Sequence, residues 1–342
     1  MATSPSTAVI PASPTGPGRR PKTGRMVWVT LVWGACFVVI GWGLPDAPVL
    51  WFAALRALLA GVALVALGGV QHRPLPPDSR SWALIAVFGL VDVTAGLGAM
   101  FAGAAGAAKG TAAVLANAQP LLIVLPAWWF YRERPTRATT AALILGFAGL
   151  GLVASANGTS SGPWLSLGAA AAAAGGTLLA RRLRHVDVLV ASGWHLLLGG
   201  VVLTAWAGAT EGMPHIRWSP SFIAALAFLA LAGTAATSVA WFTEARRARL
   251  DQLTAWTFLV PVVGLGLAAA LLGERPTGRT LAGLGAVLVA LWLTQRPRRT
   301  PAPPANPARR SAPDVAGNTA VPTARPAGPI RTVGDLRVQD VT

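Results

Sequence analysis

Runs of mostly apolar residues, about 20 long and so matched to the hydrocarbon core of a bilayer, recur along almost the whole chain with short polar breaks between them. Segments that are apolar on every side have no wet face to present, which rules out an ordinary soluble arrangement. The runs fall at 26–44, 49–69, 82–102, 110–130, 138–156, 163–180, 186–207, 220–243, 252–272 and 279–295. They predict an all-α integral membrane protein with ten transmembrane helices. The sixth run is so rich in alanine that nine spans is the competing count. Composition agrees with the class: 54% of the 342 residues are hydrophobic and 12% charged, where soluble domains carry about 25% charged residues.

Basic residues set the orientation. With a cytoplasmic N-terminus, the inner segments hold Arg19, Arg20, Lys22, Arg25, Arg73 and Arg80, then Arg132, Arg134 and Arg137. The clusters Arg181–Arg184, Arg246–Arg249 and Arg296–Arg299 follow on the same side, against Lys109, Arg217, Arg275 and Arg279 outside. Lys/Arg excess marks cytoplasmic loops, so both termini are expected inside, in a multi-pass protein of the cytoplasmic (inner) membrane. That pattern favours an even number of spans. It also explains the net charge of +16 as topology signals and headgroup contacts rather than a nucleic-acid footprint. The tails, 1–25 and 296–342, are rich in Pro and basic residues, poor in large apolar ones, and are expected to be disordered. The first run follows a long polar leader with no small-x-small site behind it, unlike a cleaved signal peptide.

The chain also repeats. Pro120 precedes Glu133-Arg134-Pro135-Thr136 by the same interval at which Pro261 precedes Glu274-Arg275-Pro276-Thr277. A weaker match sets Val49–Leu64 against Val188–Leu203, with Arg56 opposite His195. Each half, 26–156 and 163–295, holds five runs. An odd number forces the second half into the membrane from the opposite side, the inverted-repeat plan of many secondary transporters.

These residues resemble a known family. Trp33-Gly34-Ala35-Cys36-Phe37 fits the Trp-Gly-x-x-Phe of the first helix in EamA-type members of the drug/metabolite transporter superfamily. Arg56 before a Leu/Ala-rich run, Pro120 and Pro261, and the two Glu-Arg-Pro-Thr turns with Glu133 and Glu274 are similar to the same family. Departures are Tyr131-Arg132 where the family has Leu-Gly, and a sixth run without the Trp-Gly start. The resemblance implies an inner-membrane permease, often an exporter, of amino acids, metabolites or drugs.

Ionisable residues at mid-helix cost about 2.5–3.5 kcal/mol on an insertion scale, so each is a candidate for function. Asp92 lies near the centre of the third run and Arg56 in the second. They read either as a proton or cation site with Arg56 orienting Asp92, or as a structural ion pair locking the two helices. His195 either titrates near neutral pH or hydrogen-bonds a neighbouring carbonyl. Glu244 reads as a solvated interfacial ion pair with the arginines behind it. Pro120 and Pro261 remove an N–H and kink their helices, freeing the carbonyls of Ala116 and Thr257, with Asn117 placed to supply a side-chain partner or a substrate contact. Glu133 and Glu274 sit where a carboxylate complements the N-terminus of the helix that follows. Trp33 and Trp241 either stack a substrate or belong to an interfacial belt.

Neither a metal-ligand spacing, a phosphate-binding loop nor a nucleophile with a base is present at membrane depth, and Cys36 is the single cysteine. The expected function is therefore a secondary transporter rather than an enzyme, with no cofactor. Its expected partners are a small-molecule substrate, the lipid bilayer and protons as coupling ion, with a homodimer left open. The competing reading is a non-transporting membrane protein, either an intramembrane enzyme or a sensor/scaffold.

Overall fold

The structure, a computed structural model, describes residues 21–122, 137–156, 160–247 and 255–295, and every regular element among them is helical. In chain order the helices are α1 (Thr23–Gly43), α2 (Val49–Val70), α3 (Ser79–Ala105), and α4 (Lys109–Ala116, resuming at Gln119–Leu122). Then come α5 (Arg137–Ser155), α6 (Gly162–Arg182), α7 (Val188–Glu211) and α8 (220–247). The last two are α9, a 3₁₀ turn at Ala255–Phe258 running into Leu259–Leu272, and α10 (Gly278–Gln295). α1, α2, α3, α6, α7 and α8 are long and apolar enough to cross a membrane by length and composition, so the alanine-rich sixth run is among the spanning candidates. Shorter apolar helices lie within α5, α9 and α10. The chain is a multi-pass membrane protein. Glu133, with the rest of the first Glu-Arg-Pro-Thr turn, lies outside the described residues, as do most of both expected tails.

A helix in lipid must satisfy its own backbone, which leaves its ends as the places needing help. Asp78 accepts the Ser81 N–H at 2.6 Å and starts α3. Asp187 accepts from Leu189 and Val190 and starts α7. Ser219 accepts from Phe222 at 3.1 Å, with Pro220 in the first turn of α8. Three further N-termini are closed from far away in sequence. The Glu211 carboxylate takes the N–H groups of Leu50 and Trp51 at the start of α2. Glu274 takes those of Lys109 (2.7 Å) and Gly110 (2.9 Å) at the start of α4. Glu244 takes that of Lys22, ahead of α1, and pairs with Arg25 at 2.8 Å.

Two sequence expectations are corrected here. Glu274 serves α4 rather than α10, the helix that follows it. Glu244 is fully buried rather than solvated, and it pairs with Arg25 across the α1–α8 contact.

α2 packs along α7 and α5 along α10. α1 lies against α9 and α8, α4 against α9 and α6, α3 against α6 and α7, and α8 against α2. At the α1–α9 contact a methyl group on Gly34 would come within 2.5 Å of Val263, so glycine sets that spacing.

Candidate functional site

The midsections of α3 and α8 are not α-helical. Each carries a nine-residue π-helical stretch, Gly89–Leu97 in α3 and Phe228–Ala236 in α8. The two stretches are separated by the same offset as Val49–Leu64 and Val188–Leu203. A π turn displaces a carbonyl from its usual donor, and such turns gather at functional sites. In α8 the hydroxyl of Thr234 donates to the Leu229 carbonyl at 2.8 Å, and the Gly233 carbonyl accepts from Arg56 of α2 and from the Thr237 hydroxyl.

Both π stretches face a cavity of about 210 Å³ built from α1, α2, α3, α4, α6, α7 and α8. Of the sequence-predicted residues, Trp33, Arg56, Asp92, Asn117 and His195 line it. Sequence reasoning placed these on different helices; the fold brings them together. Trp241 packs on Trp33 with ring centroids 5.1 Å apart and lies outside the lining. Pro261 is buried in α9, also outside the lining. The backbone of α4 breaks at Asn117–Ala118, just before Pro120, whose side chain is not among those described.

The expected neighbourhood of Asp92 and Arg56 is corrected. Asp92 faces His195, Oδ2 to Nε2 3.7 Å, and no ion pair joins it to Arg56. The contact depends on close approach of α3 and α7: a Cβ on Gly89 would lie 2.5 Å from the His195 carbonyl oxygen. Thr94 donates to the Gly199 carbonyl at 2.8 Å and fixes the register. His195 is buried, its ring stacked on Phe88 (centroids 4.1 Å, 14°), with Nδ1 3.0 Å from the Ala191 carbonyl. That contact makes Nδ1 the donor and leaves Nε2 facing the carboxylate.

Arg56 is 5% exposed and turns to α8. Its Nε donates to the Thr234 hydroxyl at 2.7 Å and Nη2 to the Gly233 carbonyl at 3.2 Å; Cys36 Sγ lies 3.8 Å from Nη2. The guanidinium also sits over the Phe101 ring, 5.6 Å from its centroid. Nη1 has no hydrogen-bond partner among the described residues.

Asn117 donates to the Ala113 carbonyl at 2.8 Å, rather than serving Ala116. Thr234, Gln119 and Cys36 were not singled out as site residues, yet all line the cavity. A threonine or glutamine in an apolar run is a weak signal, because either can be satisfied by its own helix. Among the described residues no group of three or more His, Cys, Asp or Glu is placed to hold a metal ion.

The model of the EamA-like transporter family matches residues 26–155 and again 160–296. A WAT1-related chloroplastic protein of Arabidopsis thaliana is 30% identical over 294 residues, covering 79% of this chain and 69% of its own. A probable amino-acid metabolite efflux pump of Salmonella typhimurium is 30% identical over 290 residues, covering 80% and 95%. A crystal structure only 18% identical superposes with a TM-score of 0.59 over 80% of this chain and 95% of that one, which speaks to the fold alone.

Proposed function

This chain belongs to the EamA-like transporter family, and from that premise we propose that it is a secondary transporter exporting a small metabolite across the cytoplasmic membrane, with protons as the coupling ion. The observation that carries the reading is the cavity where the two π stretches meet Asp92, His195 and Arg56.

Exchanging the halves supports the inverted plan. Swap α1–α5 with α6–α10 in order, and α1 on α9 becomes α6 on α4, α3 on α7 becomes α8 on α2, and α3 on α6 becomes α8 on α1. All of these contacts are present, and α2–α7 and α5–α10 exchange into themselves. Ten spans in two inverted five-helix repeats, 26–156 and 163–295, account for this symmetry, and the basic loops then put both termini in the cytoplasm. Transport follows by rocking of one bundle against the other around the central site.

The cavity size bears on cargo. Drug-sized pockets measure about 300–1,000 Å³, so about 210 Å³ suits a metabolite or amino acid better than a drug. Among the described residues Asp92 is the one carboxylate in the lining, and His195 lies beside it. Together they give a proton two adjacent places to reside. Outward direction rests on the naming of the Salmonella relative as an efflux pump.

The test is uptake into inside-out vesicles of a panel of labelled metabolites, with and without an imposed proton gradient. Saturable uptake that the gradient drives and Asp92→Asn abolishes is expected. No uptake of any compound across a broad panel would return the chain to the sensor or scaffold reading.

A further inference from the structure

Arg56 is a buried cation whose charge the described protein leaves unanswered. It is 5% exposed, yet its partners are a hydroxyl, a carbonyl, a thiol and the Phe101 ring, none of them an anion, and Nη1 has no hydrogen-bond partner. Asp92, the single carboxylate in the cavity lining among the described residues, stands against His195 instead. Buried guanidinium groups are ordinarily paired, because an uncompensated charge in a dry interior is strongly unfavourable. The pairing capacity is also directional: the Thr234 hydroxyl and the Gly233 carbonyl hold Nε and Nη2 on the α8 side. A planar guanidinium presents donors in a fork matched to a carboxylate.

We propose that Arg56 is the anchor for a carboxylate of the transported molecule, an assignment that rests on the transporter reading. A monoanion fits better than a phosphate, since Asp92 lines the same cavity and repels a second negative charge. The cavity, about 210 Å³, is smaller than drug-sized pockets of about 300–1,000 Å³. The molecule is therefore a small carboxylic acid, and a hydroxyl or ammonium on it has Asp92 as acceptor. The α8 π stretch serves this site by supplying the groups that aim Arg56.

The experiment is thermal unfolding of the purified full chain in lipid nanodiscs against matched probes: serine, lactate, propionate and glycolate, and the neutral amide of each. At least one acid is expected to raise the midpoint while its amide does not. Arg56→Gln should weaken that acid about tenfold or more, as loss of a charge-assisted contact does, and Arg56→Lys should recover part of it. Should Arg56→Gln fail to fold, Thr234→Val keeps the charge and removes the Nε acceptor, and acid affinity should fall several-fold with the acid-over-amide preference intact. Equal stabilisation by acids and amides, no stabilisation by any acid at tens of millimolar, or an unchanged response in both variants overturns the assignment. Acid binding that depends on Arg56, with no counterflow of that acid in proteoliposomes, would instead sink the transport reading and leave the anchor standing.

Discussion

Asp92 on α3 faces His195 on α7, carboxylate Oδ2 3.7 Å from Nε2, across a helix contact too tight for any side chain at Gly89. The pair joins the two segments that each match the family model, 26–155 and 160–296.

Neutralising either member should separate coupling from passage. Asp92→Asn is expected to abolish gradient-driven transport while leaving substrate exchange largely intact, and His195→Gln to weaken the gradient-driven component. Counterflow and gradient-driven uptake in the same proteoliposomes distinguish the two. Full gradient-driven activity in Asp92→Asn would eliminate Asp92 as the coupling site. Because Arg56 contacts α8 and not Asp92, adding Arg56→Gln should not rescue the Asp92→Asn variant.

Glu274 closes the start of α4 by accepting from Lys109 and Gly110. Glu274→Ala is expected to cost about 1 kcal/mol, the usual worth of a cap, read as a lower unfolding midpoint. Glu274→Gln, whose amide oxygen still accepts, should lose less. Arg275→Ala, at an exposed neighbour, should change little; equal losses at 274 and 275 would contradict the capping role.

A methyl group at Gly199 would meet the Gly89 carbonyl and lie 2.6 Å from Val93 Cβ. Gly199→Ala should destabilise by about 1–3 kcal/mol through overpacking and lower activity by moving His195 relative to Asp92. Gly285→Ala, with open space around it, is the matched control and should be close to neutral.

Asp78 predicts a pH signature outside the spans. The Ser81 N–H holds its carboxyl below the usual carboxylate range. A depressed folded pKa means the contribution is complete above the unfolded value of about 3.9 and is lost as pH falls through the folded value. The midpoint difference between the wild type and Asp78→Ala should stay constant from neutral pH to about 5 and shrink below about 4. A difference that grows on acidification would exclude this.

Topology has its own check. A reporter fused after Thr342 should read as cytoplasmic, and one inserted at 157–161 as lying on the other side. The same side for both would remove one span from the proposed ten.

The helices were legible because apolar length is a strong signal, and α2, at Val49–Val70 against an expected 49–69, shows how well. The site was legible by residue type alone. Charge at mid-helix flags Asp92 and Arg56, but helical phase across three helices decides whom each meets, and that depends on the π turns. Nothing in Gly89–Leu97 or Phe228–Ala236 announces a π turn, since the same residues suit an α-helix. Glu274 was read from its local turn, and Glu244 from the arginines beside it. Both find their partners at the far end of the sequence.

Glu211, Glu274 and Glu244 all lie in the second half and close the starts of α2, α4 and α1 in the first. During synthesis those three helix starts leave the ribosome long before the glutamates that complete them exist. A chain truncated after α5 would carry three helix starts without the carboxylates that complete them.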